Sequence, residues 1–298
     1  MKKILITGGS GLLAVNWALA MRDEYFITLI LHNRKISLHG VNTDTSSLSL
    51  FDDCMSLLGK HRPDVVIHTA GLTNVEECEL NPDLAQEVNF ILAENIAKAC
   101  HAQGVKLVHI STDHLFSGDK QYACEKDKPN PVNIYAETKL RGEQKISETC
   151  PSALIIRTNF FGWGTTYRQS FSDYILNRLR NNIKVELFTD VFFTPILIDE
   201  LIRCVHYLLD INASGIFNVV GSDRLSKYEF GVKLAESFKL DIRLLNKTSI
   251  FNRLDLVKRP LDMSLSNAKL KLTLDYNLVS LVKQFEFLKE SEQETLFC

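Results

Sequence analysis

The chain has 298 residues, 45% apolar and 23% charged, enough apolar material for the core of one large domain or two ordinary ones. Thirty-four basic and thirty-six acidic residues leave a net charge of −2 with no long run of either sign, which argues against nucleic acid as the main partner. No stretch approaches the roughly twenty uninterrupted apolar residues of a membrane-spanning helix, so no membrane partner is expected.

The N-terminus imitates an export signal, with Lys2 and Lys3 before an apolar stretch and Ala18-Leu19-Ala20 resembling a cleavage site. Gly8-Gly9-Ser10-Gly11 and Asn16 interrupt that stretch, so it reads as strand, turn and helix of the mature protein. Further apolar runs predict buried strands at Ile4–Ile6, Phe26–Leu31, Val65–His68, Val105–Ile110 and Ala153–Ile156. Between them the clearest helix runs from Pro82 to His101: Asn81 offers a cap, and Ala85, Val88, Leu92, Ile96 and Ala99 recur at helical spacing. Strand–helix alternation implies right-handed crossovers and a parallel sheet covered on both faces. The later half predicts helices near Ser170–Asn181, Ile198–Asp210 and Lys227–Phe238, with short strands at Lys184–Phe188 and Ile216–Val220. The expected fold is therefore α/β, a Rossmann-type doubly wound sheet with a smaller C-terminal α/β substrate lobe. Residues 1–157 form the dinucleotide-binding domain in this reading, with 198–220 returning to it, while 158–197 and 221–298 form the lobe.

The seven cysteines (Cys54, Cys78, Cys100, Cys124, Cys150, Cys204 and Cys298) are scattered and odd in number. Without a CxxC pair or a Cys/His cluster they indicate neither a metal site nor a disulfide framework. Free thiols in a reducing cytoplasm are the expectation.

Three segments carry chemistry. Ile4–Ala14 is a strand, a glycine turn and a helix start, the arrangement that presents backbone amides to a dinucleotide pyrophosphate. Gly8 and Gly11 would supply the tight turn and the close approach, with Ser10, Leu12 and Leu13 alongside, and Ala14 stands where a third glycine usually packs. After the second strand a NAD site normally presents a carboxylate to the ribose; here the chain reads His32-Asn33-Arg34-Lys35. Asn33 and the Arg34 guanidinium suit a 2′-phosphate, so NADP is favoured, with NAD as the alternative. Tyr135…Lys139 places a phenol and an ammonium on one face of a helix, preceded by Ser111-Thr112-Asp113 at a strand end, where doubly wound folds bind ligands. YxxxK is a weak motif alone, and Tyr122…Lys126 also matches, but that copy lies among Gly118, Pro129 and Pro131, where four-residue spacing does not align side chains.

Together these segments resemble the extended short-chain dehydrogenase/reductases, and within them the chain is most similar to dTDP-4-dehydrorhamnose reductases. The matches run nearly end to end: Thr7–Ala14, Val66–Glu77, Val88-Asn89, Ser111–Gly118, Tyr135–Glu143 (YxxTKLxGE), Arg157-Thr158, Tyr228-Glu229-Phe230 and Arg259-Pro260. The resemblance implies an NADP(H)-dependent oxidoreductase of a nucleotide-linked 4-keto sugar, serving polysaccharide biosynthesis. It assigns Thr112, Tyr135 and Lys139 to catalysis and Asp44, Thr45, Ala70 and Gly71 to the adenine and ribose side of the cofactor. It places Asn89 as a site-supporting asparagine. Thr73, Thr112, Asp113, Asn159 and Arg259 fall on the substrate side, Arg259 facing the diphosphate or forming a surface ion pair. A free tyrosine titrates near 10, and Lys139 with the cofactor's cationic ring is expected to favour phenolate.

Departures from the family pattern bear on the sugar. Phe193 and Ile196 replace the loop glycine and closing threonine, His114 and Phe160 stand where tyrosine and tryptophan are usual, and Lys227 replaces an aromatic. In the family these loop positions line the sugar pocket. Two other readings remain: a catalytically silent cofactor-binding regulatory subunit, as in methionine adenosyltransferase, or an epimerase/reductase using His114 as an extra acid/base. Dimers are common in the superfamily, and a homodimer is the corresponding expectation.

Overall fold

The structure, a computed structural model, describes residues 1–292; Cys298 lies outside the described residues. Strands β1 (Lys3–Thr7), β2 (Phe26–Leu31), β3 (Asn42–Thr45), β4 (Val65–His68), β5 (Lys106–Ile110) and β6 (Leu154–Arg157) join the strand Gly215–Asn218 in one parallel sheet. Its order, from the Gly215–Asn218 edge, is that strand, β6, β5, β4, β1, β2, β3. The order reverses between β1 and β4, which opens a crevice at their carboxyl ends.

The strands are apolar because both faces are covered. Alternate residues point to opposite sides, so Ile4 and Ile6 of β1 share one core with Ile67, Val108 and Ile156. Helices α1 (Leu12–Met21) and α8 (Ile198–Asp210) cover that side through Trp17, Leu201 and Val205. Leu5, Val66, Leu107 and Ile155 share the other core with helices α2 (Phe51–His61), α5 (Leu92–Gln103) and α6 (Ile134–Thr149). The indole N–H of Trp17 donates to His206 Nε2 at 3.0 Å, so the largest buried ring leaves no polar atom orphaned.

One strand lies outside the expected set, and one expected helix is corrected. Strand β3 escapes hydrophobic reading because Asn42-Thr43-Asp44-Thr45 is polar and mostly exposed at the sheet edge. The predicted single helix over Pro82–His101 is three pieces: α4 (Pro82–Gln86), a π-helical turn (Glu87–Ile91) and α5, which ends at Gly104 in the left-handed region. Asn81 makes no side-chain cap for α4 and stands as the residue just past the end of α3 (Val75–Leu80), its N–H donating to the Glu77 carbonyl. The π turn carries Asn89 inward. Its amide oxygen accepts from Leu72 N at 2.8 Å, and its Nδ2 donates to the Leu72 carbonyl (3.0 Å) and Thr138 Oγ1 (3.1 Å).

The remaining elements gather around a third apolar core. Helices α7 (Phe171–Arg180) and α9 (Lys227–Ser237) start at Ser170 and Ser226, each closing a reciprocal capping box with Asp173 or Glu229. With α11 (Leu281–Glu290) they enclose Phe161, Phe193, Phe230 and Phe285; the short helix α10 (Ala268–Thr273) packs on the Gly215–Asn218 strand. Three two-stranded pairs complete this part: Phe160–Phe161 with Ile196–Leu197, Phe192–Phe193 with Leu225–Ser226, and Val185–Phe188 with Leu245–Thr248. No helix among the described residues is long and apolar enough to cross a membrane.

One ion pair ties α6 to β6. Arg157 donates through Nε and Nη2 to both Glu143 oxygens at 2.8–3.2 Å, and both side chains are only 2% exposed. Removing one partner strands a buried charge. Glu143→Ala should therefore cost about 3–5 kcal/mol in urea unfolding. Glu286→Gln, which breaks an exposed pair with Lys283, should cost about 0.5 kcal/mol or less.

Candidate active site

The glycine turn between β1 and α1 is shaped for close approach. Gly8 has φ +68°, and a Cβ there would stand 2.7 Å from the Ala70 amide nitrogen at the end of β4. Gly11 N–H donates to the Gly8 carbonyl at 2.7 Å, and Gly11 begins α1 without any side-chain cap. The first amides of α1, at Leu12 and Leu13, therefore face the crevice with no side-chain acceptor from the cap, as an anion site requires. Gly9, not singled out by the sequence, is equally constrained: a Cβ would meet Leu29 Cβ at 2.8 Å, and its N–H donates to the Ile30 carbonyl. Gly71 lies beside Asn89 Oδ1, 3.3 Å from where its Cβ would be. These residues fit a dinucleotide pyrophosphate, the cradle being one that side chains would fill.

Farther along the crevice, Asn33 and Arg34 are exposed after β2. The Arg34 guanidinium lies 4.2 Å from the centre of the Tyr167 ring, and Tyr167 Oη donates to the Ser10 carbonyl at 2.9 Å. Asp44 is engaged elsewhere: its carboxylate accepts from Lys60 and pairs with His61, both at 2.7 Å, and takes the Thr45 amide at 2.8 Å. Those partners hold it at about 2, below its ordinary value.

At the other end, β5 runs into Ser111-Thr112-Asp113 and α6 begins at Asn133, whose Oδ1 accepts the Ala136 amide at 2.9 Å. That cap fixes where the helix starts and so aims Tyr135 and Lys139 from adjacent turns. Lys139 Nζ donates to the Ile110 carbonyl at 2.8 Å, two residues before Thr112. Tyr135 packs edge-on against His114, ring centres 5.4 Å apart. Thr112 is 4% exposed, accepts the His114 amide at 3.2 Å, and its hydroxyl is the neighbour that draws the Tyr135 phenol down. The structure thus brings Thr112, Tyr135 and Lys139 together. Tyr122 instead sits 45% exposed on the surface with φ +51°, outside any helix. Gly142, one turn after Lys139, lets α6 lie against the π turn, since a Cβ would meet the Asn89 carbonyl at 2.6 Å.

The expectation that Lys139 and the cofactor's cationic ring together favour phenolate concerns the loaded site; the protein's own groups around Tyr135 act in the other direction. Burial raises it above 10, opposed by Thr112 and more weakly by Arg168, so the phenol stays protonated. Beneath the pair, His68 and His109 stack with centres 5.3 Å apart. Burial and the Lys139 charge push His68 down to about 3 and His109 well below its usual value, so both are neutral. Thr7 Oγ1 and His68 Nδ1 share a hydrogen bond of 2.7 Å.

On the substrate side, Asp113 accepts from Asn159 Nδ2 at 2.5 Å. Thr73 accepts from Arg168 Nη2 at 2.8 Å, and Arg259 forms the ion-pair alternative, with Glu76. Phe193 and Ile196 do not line an open pocket: both are buried, Phe193 within the third apolar core and Ile196 against the sheet, as large apolar side chains are driven to be. Two departures from the family pattern meet there, because the Lys227 ammonium sits 3.3 Å from the Phe193 ring centre. Lys227, Tyr167 and Arg168 reach the site through long-range contacts that no local spacing announces.

A glycine turn at the switch point, followed by a hydroxyl, phenol and ammonium at the β5–α6 junction, defines a short-chain dehydrogenase/reductase-type nucleotide site. The family model described as RmlD substrate binding domain matches residues 1–288, and the chain belongs to that family. The probable low-salt glycan biosynthesis reductase Agl14 of Haloferax volcanii is 30% identical over 260 residues, 84% of each chain. The methionine adenosyltransferase 2 subunit beta of Bos taurus is 26% identical over 80% of this chain and 73% of its own. Among solved structures, dTDP-4-dehydrorhamnose reductase of Clostridium acetobutylicum superposes with TM-score 0.84 at 26% identity, covering 98% and 99% of the two chains. The Bacillus anthracis enzyme of that name, in complex with NADP, gives 0.84 at 23%, covering 98% and 100%.

Lys139 is held below its ordinary 10.5, to about 8, chiefly by burial, with Glu143 pulling the other way. Its charge therefore opposes folding in full below about pH 8, and the opposition fades as pH rises towards 10.5, where the unfolded lysine also loses its proton. In the cofactor-free protein, Lys139→Met should raise the thermal midpoint at pH 7 and lose that advantage near pH 10.5. Melting curves across this range check it; a lower midpoint at pH 7 would mean the Ile110 hydrogen bond outweighs the buried charge.

Proposed function

We propose that the protein is an NADP(H)-dependent reductase of a nucleotide-linked sugar carrying a ketone at C4. The observation that carries this reading is the convergence of Thr112, Tyr135 and Lys139 at the end of β5, fixed by the Lys139–Ile110 hydrogen bond. The family match supports the substrate class, and the NADP of the Bacillus anthracis relative supports the cofactor.

When bound, the nicotinamide supplies the hydride. Gly8, Gly11 and the first amides of α1 would hold the pyrophosphate, Arg34 would take the 2′-phosphate, and Ala70 and Gly71 would border the ribose. Tyr135 gives its phenolic proton to the sugar carbonyl oxygen, a proton that any phenol titrating near 10 or above carries at neutral pH. The Thr112 hydroxyl hydrogen-bonds the same oxygen and stabilises the charge that grows there. Lys139 supplies positive charge beside the phenolate left behind and would hold the nicotinamide ribose. Asp113 and Asn159, already paired, present a polar edge to the sugar. The setting is cytoplasmic.

A regulatory subunit without turnover is the second reading, favoured by the similarity to the methionine adenosyltransferase beta subunit and by the buried Phe193 loop. Purified alone, the protein should oxidise NADPH with at least one thymidine-, uridine-, guanosine- or cytidine-linked keto-sugar, followed at the nicotinamide absorbance band. Tight NADPH binding with no turnover across that panel favours the regulator. Tyr135→Phe should abolish turnover with NADPH affinity within about threefold, while Tyr122→Phe should change little; the reverse pattern overturns the assignment.

Arg34 yields a separate outcome. A charge-assisted contact contributes about 1.5–3 kcal/mol, roughly ten- to a hundredfold in affinity. Calorimetric titration should show Arg34→Ala weakening NADPH by about that factor and leaving NADH nearly unchanged.

A further inference from the structure

The segment between Phe161 and α7 crosses the crevice rather than skirting it. A tight turn, with Thr165 and Arg168 exchanging backbone hydrogen bonds of 2.9 and 3.3 Å, puts Thr166 and Tyr167 at its tip. Its base is fastened, since the Trp163 carbonyl accepts from Asn16 Nδ2 of α1 at 3.0 Å and Gly164 N–H donates to Asp173 at 2.6 Å. The tip and the next residue then reach in two directions. Tyr167 Oη bonds the Ser10 carbonyl inside the glycine turn while its ring face carries the Arg34 guanidinium. Arg168 donates to Thr73 beyond β4, and its charge is among those acting on the Tyr135 phenol.

We propose that Tyr167 is a positioning residue for cofactor selection: anchored on Ser10, its ring holds the Arg34 guanidinium in place to meet the 2′-phosphate of NADP(H). The inference rests on the NADP(H) reading above and adds a residue to it. The physical reason is preorganisation. An exposed arginine loses rotamer freedom when it grips a phosphate. Stacking on an aromatic face restricts the side chain beforehand and leaves the guanidinium edge, with its donors, open for the phosphate oxygens. The hydroxyl anchor matters because it fixes the ring relative to the turn that binds the pyrophosphate. Ser10 and Tyr167 are 157 residues apart, so the contact spans two parts of the chain and is invisible to motif reading.

Calorimetric titration of NADPH and NADH against the parent protein, Tyr167→Ala, Tyr167→Phe, Arg34→Ala and the Tyr167→Ala/Arg34→Ala double variant tests this. Tyr167→Ala should weaken NADPH about three- to tenfold and change NADH less than about twofold. Tyr167→Phe, which keeps the ring and loses the anchor, should fall between parent and Tyr167→Ala. In the double variant the Tyr167 change should add nothing to the loss from Arg34→Ala, because both act through one contact. Equal weakening of both cofactors would make the loop merely structural, equal tightening would make it a gate, and additive losses would separate the two residues; each overturns the proposal. A parent that binds NADH and NADPH equally overturns the NADP(H) reading and this proposal with it, whereas a parent preference left undiminished in Tyr167→Ala overturns this proposal alone.

Discussion

The hydrogen bond from Lys139 Nζ to the Ile110 carbonyl is the constraint on which the site depends. It brings the face of α6 that carries Tyr135 against the end of β5, where Thr112 emerges, and it does so by burying an ammonium that burial disfavours. The cost is sustained by rigid neighbours. The Glu143–Arg157 pair clamps α6 to β6, Gly142 lets the helix lie on the π turn, and Asn89 in that turn bonds both Leu72 and Thr138. A buried charged centre held by a firm scaffold is the expected relation between active-site chemistry and stability.

What could be read from the sequence was what is local. The β1 turn, the Ser111-Thr112-Asp113 strand end and the Tyr135…Lys139 spacing each encode their geometry within a few residues, and the first sheet strands announce themselves as apolar runs. Strand β3 did not, because an edge strand buries little and needs no apolar residues. The π turn was hidden since apolar positions from Ala85 to Ala99 satisfy helical spacing whether or not one residue bulges. Asp44 shows what position alone leaves out: the resemblance placed it near the adenine, and the fold adds Lys60 and His61 from α2 on its Oδ2 and the Thr45 amide on its Oδ1.

The substrate side shows the same limit. The departures at Phe193 and Lys227 were visible as isolated changes, but not that the Lys227 ammonium lies on the Phe193 ring inside the third core. Burial and Arg259 lower Lys227 to about 8, while Asp113 opposes them, so its charge belongs to the same electrostatic neighbourhood as the substrate-side residues. The crossing loop adds Tyr167 and Arg168 at either end of the crevice. Chemistry is written in β5 and α6, while selectivity is assembled from contacts between distant segments.

The central claim is that this site moves a hydride to a sugar ketone and a proton to its oxygen. It is tested most directly by incubating the protein with NADPH deuterated at the transferable C4 position of the nicotinamide and a panel of nucleotide 4-keto sugars. Mass spectrometry and NMR then locate the label. The account predicts one deuterium at sugar C4 in the product. Saturable NADPH binding with no deuterium transferred to any member of the panel would contradict it.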